Sequence, residues 1–257
     1  MTYFFKTVGY LLTKYWKYFA KGVVSTIIIS LVSTLIGLII GLIVGIIRTI
    51  PKSKKTPIRI IQNIINGILA IYIEVFRGTP MMVQSMVIYW GYAFATGGKE
   101  LNLWFAAIFI VSINTGAYIA EIVRGGINGI DKGQFEGAHS LGMSHFQTMR
   151  LVIIPQVMKS ILPSISNEFV INIKDTSVLN VIGVTELFFF VKLTAKETFK
   201  IFQTYFIACV IYLILTLTIT RIIKLIENKM TKKKDFVLVD DESSQTNNTQ
   251  IKEQGVI

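Results

Sequence analysis

The sequence predicts an all-α transmembrane protein, and three observations support this fold class. First, 52% of its 257 residues are hydrophobic and only 16% are charged, whereas a soluble domain carries about 25% charged residues. Second, the mean hydropathy is +0.59. Third, the apolar residues form long runs. One of them, Val23 to Ile47, has 25 residues without a charge, and roughly 20 suffice for a helix to cross a bilayer.

The first predicted span follows an aromatic and basic N-terminal segment. Residues 1–21 mix Phe, Tyr and Trp with four lysines, a composition typical of the membrane–water interface. Val23 to Ile47 is then span one. Small residues recur at every fourth position along it and predict close packing against a neighbouring helix: Ser33, Gly37, Gly41 and Gly45.

Charges between the apolar runs orient the next spans. Residues 48–59 hold five basic residues and no acidic one, which predicts a cytoplasmic loop. The following apolar region is interrupted at Pro80, and the positive-inside rule favours one crossing there, span two, at about residues 68–95. Span three is Leu103 to Val123. This topology places the N-terminus outside and the C-terminus in the cytoplasm.

The C-terminal half predicts two further spans and a tail. Span four, Leu151 to about Val181, carries so many polar residues that it must face protein or a water-filled route. Span five is Ile201 to Thr220. Residues 223–257 are first basic and then acidic, a composition that predicts a disordered cytoplasmic tail. The predicted organisation is therefore an interfacial segment 1–21, a transmembrane domain 22–222 and this tail.

A polar segment, residues 131–155, separates spans three and four. Two pairs in it have the spacing of a capping box and predict two short helices: Asp131 with Gln134, and Ser144 with Gln147. Gly142 lies between the pairs, where a left-handed residue would end the first helix. Because its charged groups cannot lie unpaired in lipid, this helical hairpin should protrude into water and contact another molecule.

Several function classes find no support in the sequence. It contains no P-loop, nucleophile elbow, HExxH or CxxC motif, so no enzyme active site is predicted. The single Cys209 permits no intrachain disulfide. His139 and His145 are six residues apart, which is the wrong spacing for two metal ligands on one helix face. Nucleic acid is not an expected partner, because the basic residues fall between apolar runs instead of forming one stripe.

Polar and charged residues inside the predicted spans need partners. Two interpretations fit them equally well: mutual ion pairs that hold the helices together, or side chains that line a route for a polar solute. A zwitterionic solute would need both an acidic and a basic partner in a medium of low dielectric constant. The candidate residues are Glu74, Arg77, Glu121, Glu168, Asn172, Lys174 and Asp175.

The segment EGAHSLGMSHFQTMRLVIIP, residues 136–155, resembles the EAA loop of the permease subunits of bacterial ABC importers. Glu136, Ala138, Gly142 and Pro155 match this motif, whereas Gly137 replaces its usual first alanine. Three further segments are similar to the polar amino acid branch of these permeases, and the resemblance covers residues 22–222. They are RGTPMMVQ (77–84), AYIAEIVRGGINGIDKGQ (117–134) and NEFVINIKDTSVLNVIGVTEL (167–187).

This resemblance implies a five-helix type I importer core with cytoplasmic coupling helices between spans three and four. It implies three kinds of partner besides the lipid membrane: an extracytoplasmic amino acid binding protein, two ATPase subunits, and a second permease in a homodimer or heterodimer. ATP and Mg²⁺ would bind to the ATPases, so this chain needs no cofactor. The coupling residues would be Glu136, Gly137, Ala138, Ser140, Leu141, Gly142, Met143 and Phe146.

Some questions remain open at the level of sequence. Glu136 could pair with a basic residue of an ATPase, or simply favour its own helix N-terminus. Met143, Phe146 and Met149 could fill a groove on an ATPase or pack against the permease itself. The alternative functions are a secondary amino acid transporter, which usually shows an inverted repeat, and a membrane-anchoring subunit. The sequence does not specify which amino acid is carried.

Overall fold

A computed structural model describes residues 2–231, and in this part of the chain all regular structure is helical. The elements are α1 (Thr2–Ile47), α2 (Thr56–Gly78), α3 (Met81–Ala95), α4 (Leu103–Asn128), α5 (Lys132–Ser140), α6 (His145–Thr148), a π-helical turn (Met149–Ile153), α7 (Ile154–Asp175), a 3₁₀-helix (Thr176–Ile182), α8 (Leu187–Thr198) and α9 (Ile201–Thr231).

Four of the described helices, α1, α2, α4 and α9, are each long and apolar enough to cross a membrane. A fifth crossing results if the segment from His145 to Ile182 and α8, which meet at 55°, count as one bent span. The predicted all-α transmembrane fold is therefore confirmed. The chain divides at residue 223 into two units, and the described residues of the second, 224–231, are helical.

The first helix includes the predicted interfacial segment. Residues 2–21 and predicted span one belong to one helix, because α1 continues without a break from Thr2 to Ile47. Its 46 residues span about 69 Å at 1.5 Å per residue. None of them is Pro, and the sequence from Lys21 to Gly22 continues directly into apolar residues. Nothing in the chain therefore stops the helix where the composition changes.

Helices α1 and α4 pack in parallel through a small-residue surface, which we call the α1–α4 seam. The predicted stripe lies in this seam, and the oxygen Oγ of Ser33 donates to the carbonyl oxygen of Ile108 at 3.3 Å. A Cβ atom added to each glycine would lie 2.5–2.9 Å from a side chain of α4: Gly37 meets Thr115, Gly41 meets Ile119 and Gly45 meets Val123. The small residues thus allow the two backbones to approach closely.

Helices α2 and α3 together form one broken crossing. Ile73 of α2 packs against Ala117 and Ala120 of α4, whereas Tyr89 of α3 packs near Ala106. The contacts therefore move steadily toward the N-terminal end of α4 as the chain passes from α2 to α3. The break lies at Thr79 and Pro80, since Pro80 cannot donate a helical hydrogen bond. The helix that leads into predicted span two begins at Thr56.

The segment from α7 to α8 runs antiparallel to α1 along most of its length. Three hydrogen bonds mark this path: Asn172 Nδ2 to Thr34 Oγ1 at 2.8 Å, the Leu187 amide to Thr26 Oγ1 at 3.3 Å, and Lys200 Nζ to the Tyr3 hydroxyl at 2.8 Å. The helical path that begins in predicted span four continues through the 3₁₀-helix into α8, with a bend of 55° between the two parts.

The C-terminal helix also extends beyond its predicted limit. α9 runs to Thr231, so residues 223–231 of the predicted disordered tail are helical. The acidic segment lies outside the described residues.

Candidate functional site

The polar segment between α4 and α7 folds into the predicted helical hairpin. Asp131 caps α5, and its Oδ1 atom accepts a hydrogen bond from the Gly133 amide. The capping box expected for Asp131 and Gln134 does not form, because Gln134 Oε1 accepts from Gln156 Nε2 at 3.1 Å. This bond ties α5 to α7. The hairpin is thus fixed to the transmembrane part of the chain by a contact that sequence spacing did not predict.

The turn after α5 is a Schellman motif. Gly142 has a φ of +76°, a left-handed conformation that glycine adopts without steric cost. Its amide donates to the His139 carbonyl at 2.9 Å, and the Met143 amide donates to the Ala138 carbonyl at 3.2 Å. These two bonds satisfy carbonyl groups at the helix end. The predicted role of Gly142 in ending the first helix is confirmed.

The second capping box forms as predicted. Ser144 Oγ accepts from the Gln147 amide at 3.3 Å, and Gln147 Oε1 accepts from the Ser144 amide at 2.8 Å. The π-helical turn at Met149–Ile153 follows α6. Pro155 near the start of α7 lacks an amide hydrogen and would clash with the carbonyl four residues before it, so a wider turn fits this position.

The hairpin has a buried and an exposed side. Ala138 and Met149 are only 5% and 7% exposed, and Met149 packs in a core cluster with residues of α4 and α7. Leu141 and Phe146 are 83% and 71% exposed. Met143 is half-buried. The structure therefore separates residues that sequence spacing grouped together: Met149 belongs to the core of this chain, whereas Phe146 is exposed.

The remaining predicted coupling residues are exposed: Glu136, Gly137, Ser140 and Gly142. A Cβ atom added to Gly137 would meet no atom within 4 Å. The packing of this chain therefore does not require glycine at this position.

His145 is the hairpin residue with a shifted pKa. Burial lowers the pKa of its imidazole, and the nearby charge of His139 lowers it further. His145 is half-buried, so its neutral form is favoured in the folded hairpin.

Glu121 on α4 is the centre of an arginine cluster. Its carboxylate contacts Arg48 Nη1 at 2.7 Å, Arg124 Nη2 at 2.7 Å and Arg77 Nη1 at 4.0 Å. These arginines come from the chain after α1, from α4 and from α2, so one carboxylate joins three parts of the chain. For Glu121, the structure favours the ion-pair interpretation over solute contact. Sequence analysis missed Arg48, which it assigned only to the basic loop.

The other charged candidates are less completely paired. The Arg77 guanidinium lies 5.5 Å from the centre of the Tyr118 ring and also interacts electrostatically with Glu168. Asp175 interacts electrostatically with Lys174 and Glu168. Among the described residues, neither Glu168 nor Asp175 forms a hydrogen bond or a close ion pair. Glu74 is exposed on α2, away from this group.

Asn172 differs from the prediction. It is 3% exposed, and its side chain forms hydrogen bonds with Thr34 of α1 and Thr115 of α4 at 2.8–3.1 Å. A buried amide whose donor and acceptor atoms are both paired is not free to bind a solute. Asn172 is a bridge between helices, and neither threonine could have been identified from sequence spacing.

A buried amide pair stabilises the break in span two. Gln84 Nε2 donates to the carbonyls of Phe76 and Thr79 at 3.0 and 2.9 Å. Asn114 Nδ2 donates to Gln84 Oε1 at 2.9 Å and to the Phe76 carbonyl at 3.2 Å. The break would otherwise leave these carbonyls unpaired. A polar residue four positions after Pro80 was the available sequence signal.

Glu186 is a second functional residue that sequence analysis missed. It is fully buried and caps α8, where its two carboxylate oxygens accept from the Phe188 and Phe189 amides at 2.8 Å. The Tyr212 hydroxyl donates to the same carboxylate at 3.0 Å and links it to α9. An acidic residue directly before an apolar run was the available signal.

The fold and this site define a multi-pass membrane component that offers a capped, partly apolar hairpin to a partner. The chain belongs to the family of binding-protein-dependent transport system inner membrane components, whose model matches residues 59–232. It is therefore the permease component of an ABC transporter and not its ATPase. This membership excludes both alternatives, the secondary transporter and the simple membrane anchor.

Comparisons with known proteins agree with this assignment. The chain is 39% identical over 167 residues to the glutamine transport system permease protein GlnP of Escherichia coli (strain K12), covering 65% of this chain and 76% of that protein. It is 38% identical over 159 residues to the putative glutamine transport system permease protein GlnP of Rickettsia felis, covering 62% and 72%.

A solved structure shares the fold. The crystal structure of an amino acid ABC transporter with histidines is 35% identical in sequence and superimposes with a TM-score of 0.73, covering 85% of this chain and 96% of that chain.

Proposed function

We propose that this permease translocates a polar amino acid delivered by an extracytoplasmic binding protein. Two kinds of comparison support the substrate class: the curated relatives are named as glutamine permeases, and the superimposed structure is named as an amino acid transporter. Glutamine is the first substrate to test. Two ATPase subunits would supply the energy and bind ATP and Mg²⁺, and a second permease, identical or different, would complete the route.

The proposed orientation is N-terminus outside and C-terminus in the cytoplasm. The parallel packing of α1 and α4 supports it, because the basic loop after α1 and the hairpin after α4 then lie at the same end of the bundle. The positive charge of residues 48–59 favours the cytoplasmic side for this end. Residues 22–222 would be the permease domain, and residues beyond 223 would form a cytoplasmic tail.

The proposal that the hairpin couples the permease to the ATPase rests on the exposed apolar side chains of the hairpin. Leu141 and Phe146 are 83% and 71% exposed. They extend from a hairpin whose backbone is held by caps and a Schellman turn. Large apolar side chains on a rigid helical support are suited to fill a pocket of a partner. We assign this pocket to the ATPase. Its closure would move the hairpin and, through α4 and α7, the transmembrane helices.

The charged group on α2 and α7 is the proposed solute contact. Arg77 and Lys174 offer positive charge, whereas Glu168 and Asp175 offer carboxylates, and the latter two lack a close ion pair within the described residues. A zwitterion could be matched by such a set. Glu74 and Glu121 are weaker candidates, since one lies apart and the other is held by arginines.

Copurification with the ATPase tests the coupling assignment. We expect Leu141→Ala with Phe146→Ala to reduce the amount of bound ATPase about tenfold or more, because well-packed apolar anchors commonly carry most of an interface's energy. Leu213→Ala is the matched control, as Leu213 is an exposed leucine of α9. Undiminished ATPase binding by the double variant, with the permease still folded, would overturn the assignment.

Uptake in proteoliposomes tests the substrate class. The complete transporter with its binding protein should import radiolabelled glutamine in an ATP-dependent manner, and Glu168→Gln should reduce the rate while leaving ATPase binding intact. Uptake that no unlabelled polar amino acid can inhibit would contradict the proposed substrate class. An unchanged rate in the variant would remove Glu168 from the route.

A further inference from the structure

The N-terminal half of α1 carries an exposed stripe of basic and aromatic residues. Its positions are separated by three or four residues, so they lie on one face of the helix. We call this face the lysine stripe: Lys6, Tyr10, Lys14, Lys17 and Lys21, all of them exposed. It extends over 15 residue steps, or about 22 Å of helix. Neither the coupling hairpin nor the proposed solute route uses it.

The lysine stripe has few acidic neighbours. None of its four lysines forms a close ion pair within the described residues; the three close pairs found there all involve Glu121. Lys14 Nζ instead contacts the Tyr10 hydroxyl at 2.8 Å, and Lys21 lies 5.7 Å from the centre of the Phe190 ring. An acidic residue of α8, Glu197, interacts electrostatically with Lys14.

Lysines from α8 and the following residue enlarge this positive surface. Lys192 and Lys196 are exposed on α8, and Lys200 contacts the Tyr3 hydroxyl. An open cleft of about 520 Å³ lies between α1 and the C-terminal end of α8. Its charged lining residues are Lys6, Lys14, Lys200 and one acidic residue, Glu197, and Tyr3 and Tyr10 also line it. The surface therefore offers several amines and phenolic hydroxyls to a ligand that carries negative charge.

The same helix face continues from the lysine stripe into a row of exposed aliphatic residues. After Lys21 the three-or-four spacing is kept, but every position is apolar: Val24, Ile28, Leu31, Leu35, Ile39 and Ile43, which are 43–60% exposed. In a membrane helix, an exposed aliphatic row faces lipid. The lysine stripe thus adjoins this exposed aliphatic row on the same face of α1.

A second exposed face of α1 also favours lipid over a soluble partner. Phe5, Leu12 and Trp16 are 64%, 42% and 57% exposed and lie on a different side of the helix from the lysines. The opposite side is buried, with Leu11 and Phe19 packed against α8 and α9. Apolar and aromatic side chains beside lysines are common where a spanning helix passes the membrane–water interface. An acidic soluble protein would account for the lysines but not for this apolar face.

We propose that the lysine stripe binds the phosphate groups of anionic phospholipids in the leaflet that contacts the N-terminal half of α1. Lys14, Lys17 and Lys21 would make the principal contacts, because they lie within about 15 Å of Val24 along the helix and lysine side chains reach toward the headgroups. This lipid contact is independent of the transported solute. It explains why α1 retains lysines at an end of the bundle where the positive-inside rule disfavours them.

Crosslinking with photoreactive phospholipids tests this inference on the purified full chain in nanodiscs. Phosphatidylglycerol with a photoreactive headgroup should label peptides of α1 around residues 10–24 about tenfold more than the equivalent phosphatidylcholine, since each lysine near a membrane surface favours anionic lipid. This comparison uses the unaltered protein. Equal labelling by the two lipids would overturn the proposal and leave an acidic protein as the partner to seek.

A charge-removing variant and a charge-retaining variant locate the site. Lys14→Gln, Lys17→Gln and Lys21→Gln together should reduce phosphatidylglycerol labelling of α1 about tenfold, whereas the three corresponding Lys→Arg substitutions should retain it. Labelling near Arg221 and Lys224 is the internal control and should not change. If the glutamine variant keeps full labelling of α1, or if labelling falls equally at both places, the assignment to the lysine stripe is wrong.

Discussion

The α1–α4 seam and the coupling hairpin both contain small residues, but for different physical reasons. In the seam, an added methyl group at Gly41 would lie 2.5 Å from a side-chain atom of Ile119. In the hairpin, an added methyl group at Gly137 would meet nothing within 4 Å. The glycines of the seam are therefore needed by this chain itself. If position 137 requires a small residue, the reason must be contact with a partner molecule.

The largest expected effect is in the seam. Gly41→Leu should destabilise the permease by about 3 kcal/mol or more, because a side chain forced into a closely packed contact displaces the two helices. Thermal unfolding in detergent measures this change. Gly67→Leu is the matched control, since Gly67 lies on the membrane helix α2 with nothing within 4 Å of an added Cβ. Similar midpoints for the two variants would contradict the role of the seam.

The equivalent change in the hairpin should affect assembly instead of stability. Gly137→Leu should leave the thermal midpoint of the isolated permease unchanged but reduce ATPase binding about tenfold, equivalent to about 1.4 kcal/mol. The reason is that a bulky residue would separate two protein surfaces without disturbing the chain that carries it. Copurification and unfolding of the same preparations provide both measurements. If Gly137→Leu destabilised the permease and left ATPase binding unchanged, the proposed difference between the hairpin and the seam would be wrong.

A smaller effect is expected from the capping box of the hairpin. Ser144→Ala removes the side-chain acceptor for the Gln147 amide and should cost about 1 kcal/mol. Hydrogen exchange of the α6 amides would report this local loss. Ser140→Ala is the control, because the Ser140 hydroxyl donates to the Glu136 carbonyl within α5 and caps no helix N-terminus. Equal exchange in both variants would show that the box does not hold the hairpin.

The smallest expected effect is the pH dependence of the hairpin. Because the folded pKa of His145 is lowered from 6.5, the unfolded form takes up the proton first as the pH falls. Stability should therefore be full above the unfolded pKa and decrease as the pH falls through that value. His145→Gln should reduce this decrease, measured by hydrogen exchange at about pH 7.5 and 5.5. His139→Gln should weaken this pH dependence in part, because it removes one of the two causes of the lowered His145 pKa. A greater stability at the lower pH would contradict the assignment.

Much of the hairpin could be predicted because its signals are local. The capping box of Ser144 and Gln147 and the left-handed turn at Gly142 depend on residues a few positions apart, and both form as expected. Asp131 shows the limit of this reasoning. Gln134 has the correct spacing for a box, but Gln156 of α7 forms a hydrogen bond with it instead. Long-range contacts can thus override a local pattern.

The solute-route candidates show the same limit more strongly. Their selection rested on the cost of burying charge, which identifies residues that need partners but not which partners they find. Glu121 is held by Arg48 and Arg124, and Asn172 is held by two threonines. Only the packing of α1, α2, α4 and α7 distinguishes these paired side chains from Glu168 and Asp175. Gln84 and Glu186 were missed because their side-chain partners, Asn114 on α4 and Tyr212 on α9, lie far along the chain.

The sequence by itself determined the membrane class, the helical composition, the capped hairpin and the family. These properties follow from hydropathy, from contacts within a few residues and from motif order. The contacts between helices add which small residues are packed, where the helix of span two is broken, and which hairpin side chains face outward. The physical reason is that each of these depends on the distance between atoms of different helices. Composition fixes what a helix can bury, whereas its neighbours fix which face is buried.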